Sequence, residues 1–151
     1  MSIQISRRAL TILAPIGVVV AATWAKAAPV SFTVPLTGAQ QVPPVQTTAT
    51  GAAALTYDAA TRTLTWSVTF SGLSSGPTMA HFHGPAAQGA NAPPTIWIST
   101  KDQPVTSPIK GEATLTPDQA TQFLAGQWYV NVHSKDHAGG EIRGQVVPPK
   151  A

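Results

Sequence analysis

The sequence predicts an all-β domain, a sandwich or a barrel, carrying one short helix. Three observations lead there. Beyond residue 27 the chain is rich in Thr, Val, Gly and Pro and poor in charge. Apolar and polar residues alternate with period two over several short runs, and Pro- and Gly-rich pieces separate those runs.

The first 27 residues stand apart from that pattern. Arg7 and Arg8 form a basic start, an apolar stretch runs from Ala9 to Ala25, and Ala25-Lys26-Ala27 supplies the small-x-small pattern that precedes signal-peptide cleavage. This reads as an export signal removed before Ala28, so the mature chain is expected in the periplasm or outside the cell, with no stable membrane insertion. A retained anchor is the alternative; the apolar run is only about 17 residues long and contains Pro15. "SRRAL" partly matches a twin-arginine signal, and the choice between that route and general secretion stays open.

Removing 27 of the 151 residues leaves a chain of one-domain size, 28–151, with a real core. Arg7, Arg8 and Lys26 leave with the signal, so the nine Lys and Arg fall to six, matching the six Asp and Glu. A formally neutral chain without a basic cluster is not expected to bind nucleic acid. Cysteine is absent, which excludes thiolate metal sites, redox pairs and cysteine nucleophiles.

The strands follow in order. Val30 to Leu36 is the first. "GAAALTYD" is joined to "RTLTWSVTF" through a hairpin turn at Asp58-Ala59-Ala60-Thr61. In the second run Leu64, Trp66, Val68 and Phe70 share one face and Thr63, Thr65, Ser67 and Thr69 the other, so one face is buried and one wet. Further strands are expected at Met79 to His83, Thr95 to Ser99, Ile109 to Leu115, Gln127 to His133 and Glu141 to Val147. The helix lies in "TPDQATQFLAG": Thr116 caps it, Gln119 completes a capping box, Pro117 opens the first turn, Gly126 ends it, and Phe123 and Leu124 anchor it to the core. "QVPPV", "GPAAQGANAPP" and "QPVTSP" read as loops.

All four histidines fall in two places, His81 and His83 in "HFH" and His133 and His137 in "NVHSKDH". Residues two apart on a strand point to the same side, about 6.5 to 7 Å apart, which lets two imidazoles converge on one ion. The bland alternative for such a pair is solvated surface. In "WYVNVH", Trp128, Val130 and Val132 share one face and Tyr129, Asn131 and His133 the other. The next strand places Ile142, Gly144 and Val146 inward and Glu141, Arg143 and Gln145 outward. Several hairpin registers match these faces. One sets His133 opposite Glu141 and Asn131 opposite Arg143, so that Glu141 holds a histidine N–H behind the metal. The competing reading is a Glu141–Arg143 surface pair.

Three blocks, "PLTGAQQVPPVQTTATGAAALTYDAATRTLTWSVTFSGL", "AHFHGPA" and "AGQWYVNVHSKDHAGGEIRGQV", resemble the chordin-type (CHRD) domain, a module of chordin and of exported bacterial proteins. The resemblance runs from about Phe32 to Val147 and implies an immunoglobulin-like antiparallel β-sandwich with some likeness to the copper-zinc superoxide dismutase sandwich. It implies that His81, His83 and His133 are the motif histidines and Glu141 and Arg143 the motif acid–base pair. His137 falls where the family varies, and Gln41 stands where many members carry Glu.

Three functions follow for testing. The first is an exported metal-binding protein: imidazoles without thiolates suit copper ahead of zinc, with His81, His83 and His133 as ligands, His137 less secure, Met79 as a soft thioether on the same strand face, and Asn131, Glu141 and Arg143 behind them. The second is an extracellular module binding a protein partner or serving structure without metal. The third and least supported is a copper-dependent redox enzyme; neither a nucleophile elbow nor a carboxylate pair placed for glycoside hydrolysis is present.

Overall fold

A computed structural model describes residues 27–150; the export segment and its cleavage pattern lie outside the described residues except for Ala27. The strands are β1 (Val30–Thr37), β2 (Thr50–Asp58), β3 (Thr63–Ser71), β4 (Pro77–His83), β5 (Pro94–Trp97), β6 (Ile109–Thr114), β7 (Trp128–Ser134) and β8 (Ile142–Val146), with α1 (Pro117–Leu124) between β6 and β7. Among the described residues no helix is long and apolar enough to cross a membrane.

All strand pairs are antiparallel, in the order β5-β4-β7-β8-β1-β2-β3-β6. The middle of this sheet is nearly cut: β1 and β8 pair as strands only at Thr37 and Arg143. The two four-stranded halves therefore fold face to face and share one core, the sandwich-like architecture that the alternation predicts. Leu55, Leu64, Trp66 and Val68 come from one half and Phe82, Trp128, Val130 and Ile142 from the other. The Trp66 and Phe82 rings meet edge to face at 5.4 Å.

Local chemistry explains the connections. Asp58 Oδ1 accepts the Ala60 N–H at 2.8 Å and closes the β2–β3 turn. At α1, Thr116 Oγ1 accepts from Gln119 N while Gln119 Oε1 accepts from Thr116 N, the reciprocal box that "TPDQ" predicts. Ala120 and Phe123 point into the core, and Phe123 alone contributes about 1.5–3 kcal/mol of burial. Leu124 is a correction: one step further round the helix, it is 53% exposed and anchors nothing.

The closure of the outer face of β7 matters more. Tyr129, Asn131 and His133 lie on the face of β7 away from the core, yet all seven residues of β7 are buried. The Pro-rich loop at 84–93, the segment around Gln41 and the turn at 135–141 fold over that face, so that Asn91 and Ala90 meet Arg143, Ala92 meets Tyr129, and Gln41 meets Asn131. The solvated surface held as the alternative for this face is instead a closed polar layer.

Candidate metal centre

The register between β4 and β7 builds this layer. Met79 pairs with His133, His81 with Asn131 and His83 with Tyr129, so His133 lies diagonally across from His81 on the same face. His81, His83 and His133 are all buried and offer one nitrogen each within 4.8 Å of one another. Ring centroids are 5.5 Å apart for His81 and His83, 5.2 Å for His81 and His133, and 5.8 Å for His83 and His133.

Backbone carbonyls settle two tautomers. His83 Nδ1 lies 2.9 Å from the Ala92 carbonyl, and His133 Nδ1 lies 2.9 Å from that of Ala138. A carbonyl oxygen can only accept, so both Nδ1 atoms carry the proton and both Nε2 atoms keep a lone pair. Among the described residues His81 has no carbonyl partner; its Nδ1 is 3.3 Å from His133 Nε2. Two nitrogens held tetrahedrally about 2.0–2.1 Å from one ion are separated by about 3.3 Å, so this pair already has ligand spacing. Among the described residues, the Nε2 atoms of His81 and His83 are buried without a hydrogen-bond partner. Such orphaned atoms cost about 1–3 kcal/mol each unless something binds them.

The surroundings hold the rings neutral. Burial, followed by the nearby His133 and His83, pushes the His81 pKa down to about 4. Burial lowers His83 too; the Ala92 carbonyl opposes that shift, while His133 and the Arg143 guanidinium add to it. His133 is lowered by burial against an opposing hydrogen bond to Ala138. Neutral imidazole is the form that binds metal. At the rim, the Trp97 ring meets His81 edge-on at 4.2 Å and is 43% exposed, covering the centre from edge strand β5.

The remaining site residues divide. Asn131 does pair with Arg143 in the β7–β8 register. Its amide accepts from Gln41 Nε2 at 2.7 Å and donates to the Gly139 carbonyl at 3.1 Å, steadying the turn that presents Ala138 to His133. Glu141 does not hold His133, because Ala138 takes that N–H; the Glu141 carboxylate instead accepts from Thr47 Oγ1, Ser134 Oγ, and both the hydroxyl and the N–H of Ser74. Burial pushes its pKa up, but the hydrogen bonds outweigh burial and bring it down to about 2. A Glu141–Arg143 surface pair is likewise absent: both side chains are buried with separate partners. Arg143 donates to Asn91 Oδ1 at 2.9 Å and to the Ala90 carbonyl at 2.7 Å, and its Cζ lies 3.4 Å from the Tyr129 ring centre. His137 is not among the three grouped histidines; it sits half-buried in the turn beside Gln41 and Pro43. Met79, half-buried, stands cross-strand from His133.

Sequence reasoning missed the Ala92 and Ala138 carbonyls, the cover by Trp97, and the role of Tyr129, whose ring stacks on His83 at 4.8 Å and 7°. Only Tyr129 left a trace, sharing a strand face with Asn131 and His133.

A family model described as the CHRD domain matches residues 32–146. The chain belongs to the CHRD domain family. Its CHRD region contains every residue of the centre, from Gln41 through the three histidines to Arg143. Comparison with curated proteins and with solved structures gives no match.

Proposed function

We propose that this CHRD domain is an exported metal-binding protein in which His81, His83 and His133 hold a single ion, copper ahead of zinc. The observation that carries the reading is the convergence of three buried neutral imidazoles, two of them with an Nε2 that no group among the described residues satisfies. An ion would satisfy the Nε2 of His83, while His81, which can give one ion only one of its two ring nitrogens, would offer the Nδ1 that faces His133. Two rings are fixed from behind by carbonyls, the usual arrangement for histidine ligands. Copper is placed first because the donor set has no carboxylate or thiolate and because the Met79 thioether stands on the same face. The three nitrogens lie within 4.8 Å of one another, and any pair wider than about 3.3 Å closes towards that spacing when an ion binds.

Titration of the metal-free protein with Cu(I), Cu(II) and Zn(II) tests this. Binding tighter than micromolar, lost when His81 and His83 are both replaced by Ala, is the expected result. Absence of binding below micromolar for all three ions, or an unchanged affinity in the double variant, overturns it.

A further inference from the structure

Behind His83 the stacked rings end in a charge. His83 and Tyr129 are cross-strand partners on β4 and β7, with centroids 4.8 Å apart. Arg143 reaches the same phenol ring from β8, its Cζ 3.4 Å from the centroid. Because β7 runs between β4 and β8, imidazole and guanidinium lie on opposite sides of Tyr129. They are separated by no more than about 8 Å, a range at which charges still act strongly in a protein interior.

Arg143 is only 1% exposed, and the partners described for its guanidinium, Asn91 Oδ1 and the Ala90 carbonyl, are both neutral. The nearest carboxylate along the chain, Glu141, is turned into the hydroxyls of Thr47, Ser74 and Ser134. Among the described residues, no acidic side chain hydrogen-bonds to His81, His83, His133 or Arg143. The centre therefore offers neutral donors, no anion, and a buried cation at one end.

Such an environment sorts ions by charge. The cost of desolvating an ion rises with the square of its charge, and repulsion from Arg143 rises in proportion to it. We infer that Arg143, acting through its stack on Tyr129 and His83, makes this a centre for a soft monovalent ion, Cu(I), and biases it against Cu(II) and Zn(II). The inference rests on the metal-binding reading and adds to it the valence of the ion. Arg143 is a positioning residue here: it touches the ion's ligand only through the phenol ring. The Met79 thioether, cross-strand from His133, favours the same soft ion.

At about 10 Å and an effective dielectric of about 20, one guanidinium changes the affinity for each unit of ionic charge by about tenfold. Arg143→Gln is therefore expected to raise the affinity for Cu(II) relative to Cu(I) by about tenfold, which lowers the midpoint potential of the bound copper by about 60 mV. Arg143→Lys keeps the charge and is expected to hold the wild-type potential. The wild type supplies a second measurement: Cu(I) stays bound against a tenfold excess of Zn(II), read by chelator competition. An Arg143→Gln protein that binds copper at an unchanged potential overturns the inference and leaves the metal site standing, and so does displacement of Cu(I) by Zn(II). If neither Cu(I), Cu(II) nor Zn(II) binds the wild type, the metal-binding reading itself has failed.

Discussion

Replacing Glu141 with Gln removes a buried charge while keeping the side chain's shape. The carboxylate is fully buried and takes hydrogen bonds from three segments: Thr47 before β2, Ser74 between β3 and β4, and Ser134 at the end of β7. Those bonds hold its pKa at about 2 against an ordinary value of 4.5. A gap of about 2.5 units corresponds to about 3 kcal/mol of stability. Because the folded pKa is the lower one, this contribution is complete above about pH 5 and is lost as pH falls towards 2. The buried histidines, whose pKa values are also lowered, weaken the fold as pH drops below about 6.5, but they do so in both proteins. The difference between wild type and Glu141→Gln therefore isolates Glu141. Urea unfolding at pH 7, 5, 4, 3 and 2 should show a gap of about 3 kcal/mol at neutral pH that closes towards zero at pH 2. A gap that stays constant with pH would refute the claim that the ionised carboxylate organises these three segments.

Other outcomes follow from the same geometry. Copper at about a hundred times its dissociation constant should stabilise the fold by about 2.7 kcal/mol, raising Tm by about 10 °C, and His133→Ala should abolish that rise in a thermal scan. Gly140→Ala should cost about 2–4 kcal/mol in urea unfolding, because a Cβ there would strike the Asn131 amide and Gly140 has a φ of +113°. Bound copper should quench the fluorescence of Trp97, whose ring lies 4.2 Å from His81, and Trp97→Phe should remove most of that quenching. Thr116→Ala should cost about 1 kcal/mol through loss of the cap on α1.

The parts of the fold legible in the sequence are those governed by local periodicity. Leu64, Trp66 and Val68 are buried as their alternation with Thr predicts, and the "TPDQ" box caps α1. The two faces of β7 were separable for the same reason. What hides the outer face was not legible, since nothing local marks the loop at 84–93 as a cover rather than a solvated excursion. The true partner of His133 was also invisible: Ala138 acts through its backbone carbonyl, and a carbonyl leaves no mark in a sequence. Glu141 looked like that partner because its residue type suits the role and one register set it opposite. The hydroxyls of Thr47, Ser74 and Ser134, scattered along the chain, draw it elsewhere. His81, His83 and His133 were nameable from their spacing and motifs, but their convergence depends on the β4–β7 register, which only the folded chain displays.

The central claim, one ion held by three imidazoles, is tested most directly by X-ray absorption at the copper edge on the fully loaded protein. The account predicts imidazole nitrogens from three rings at about 2 Å, with a signal that collapses in His81→Ala and in His133→Ala. Copper surrounded by oxygen donors, or an identical spectrum in both variants, would contradict it.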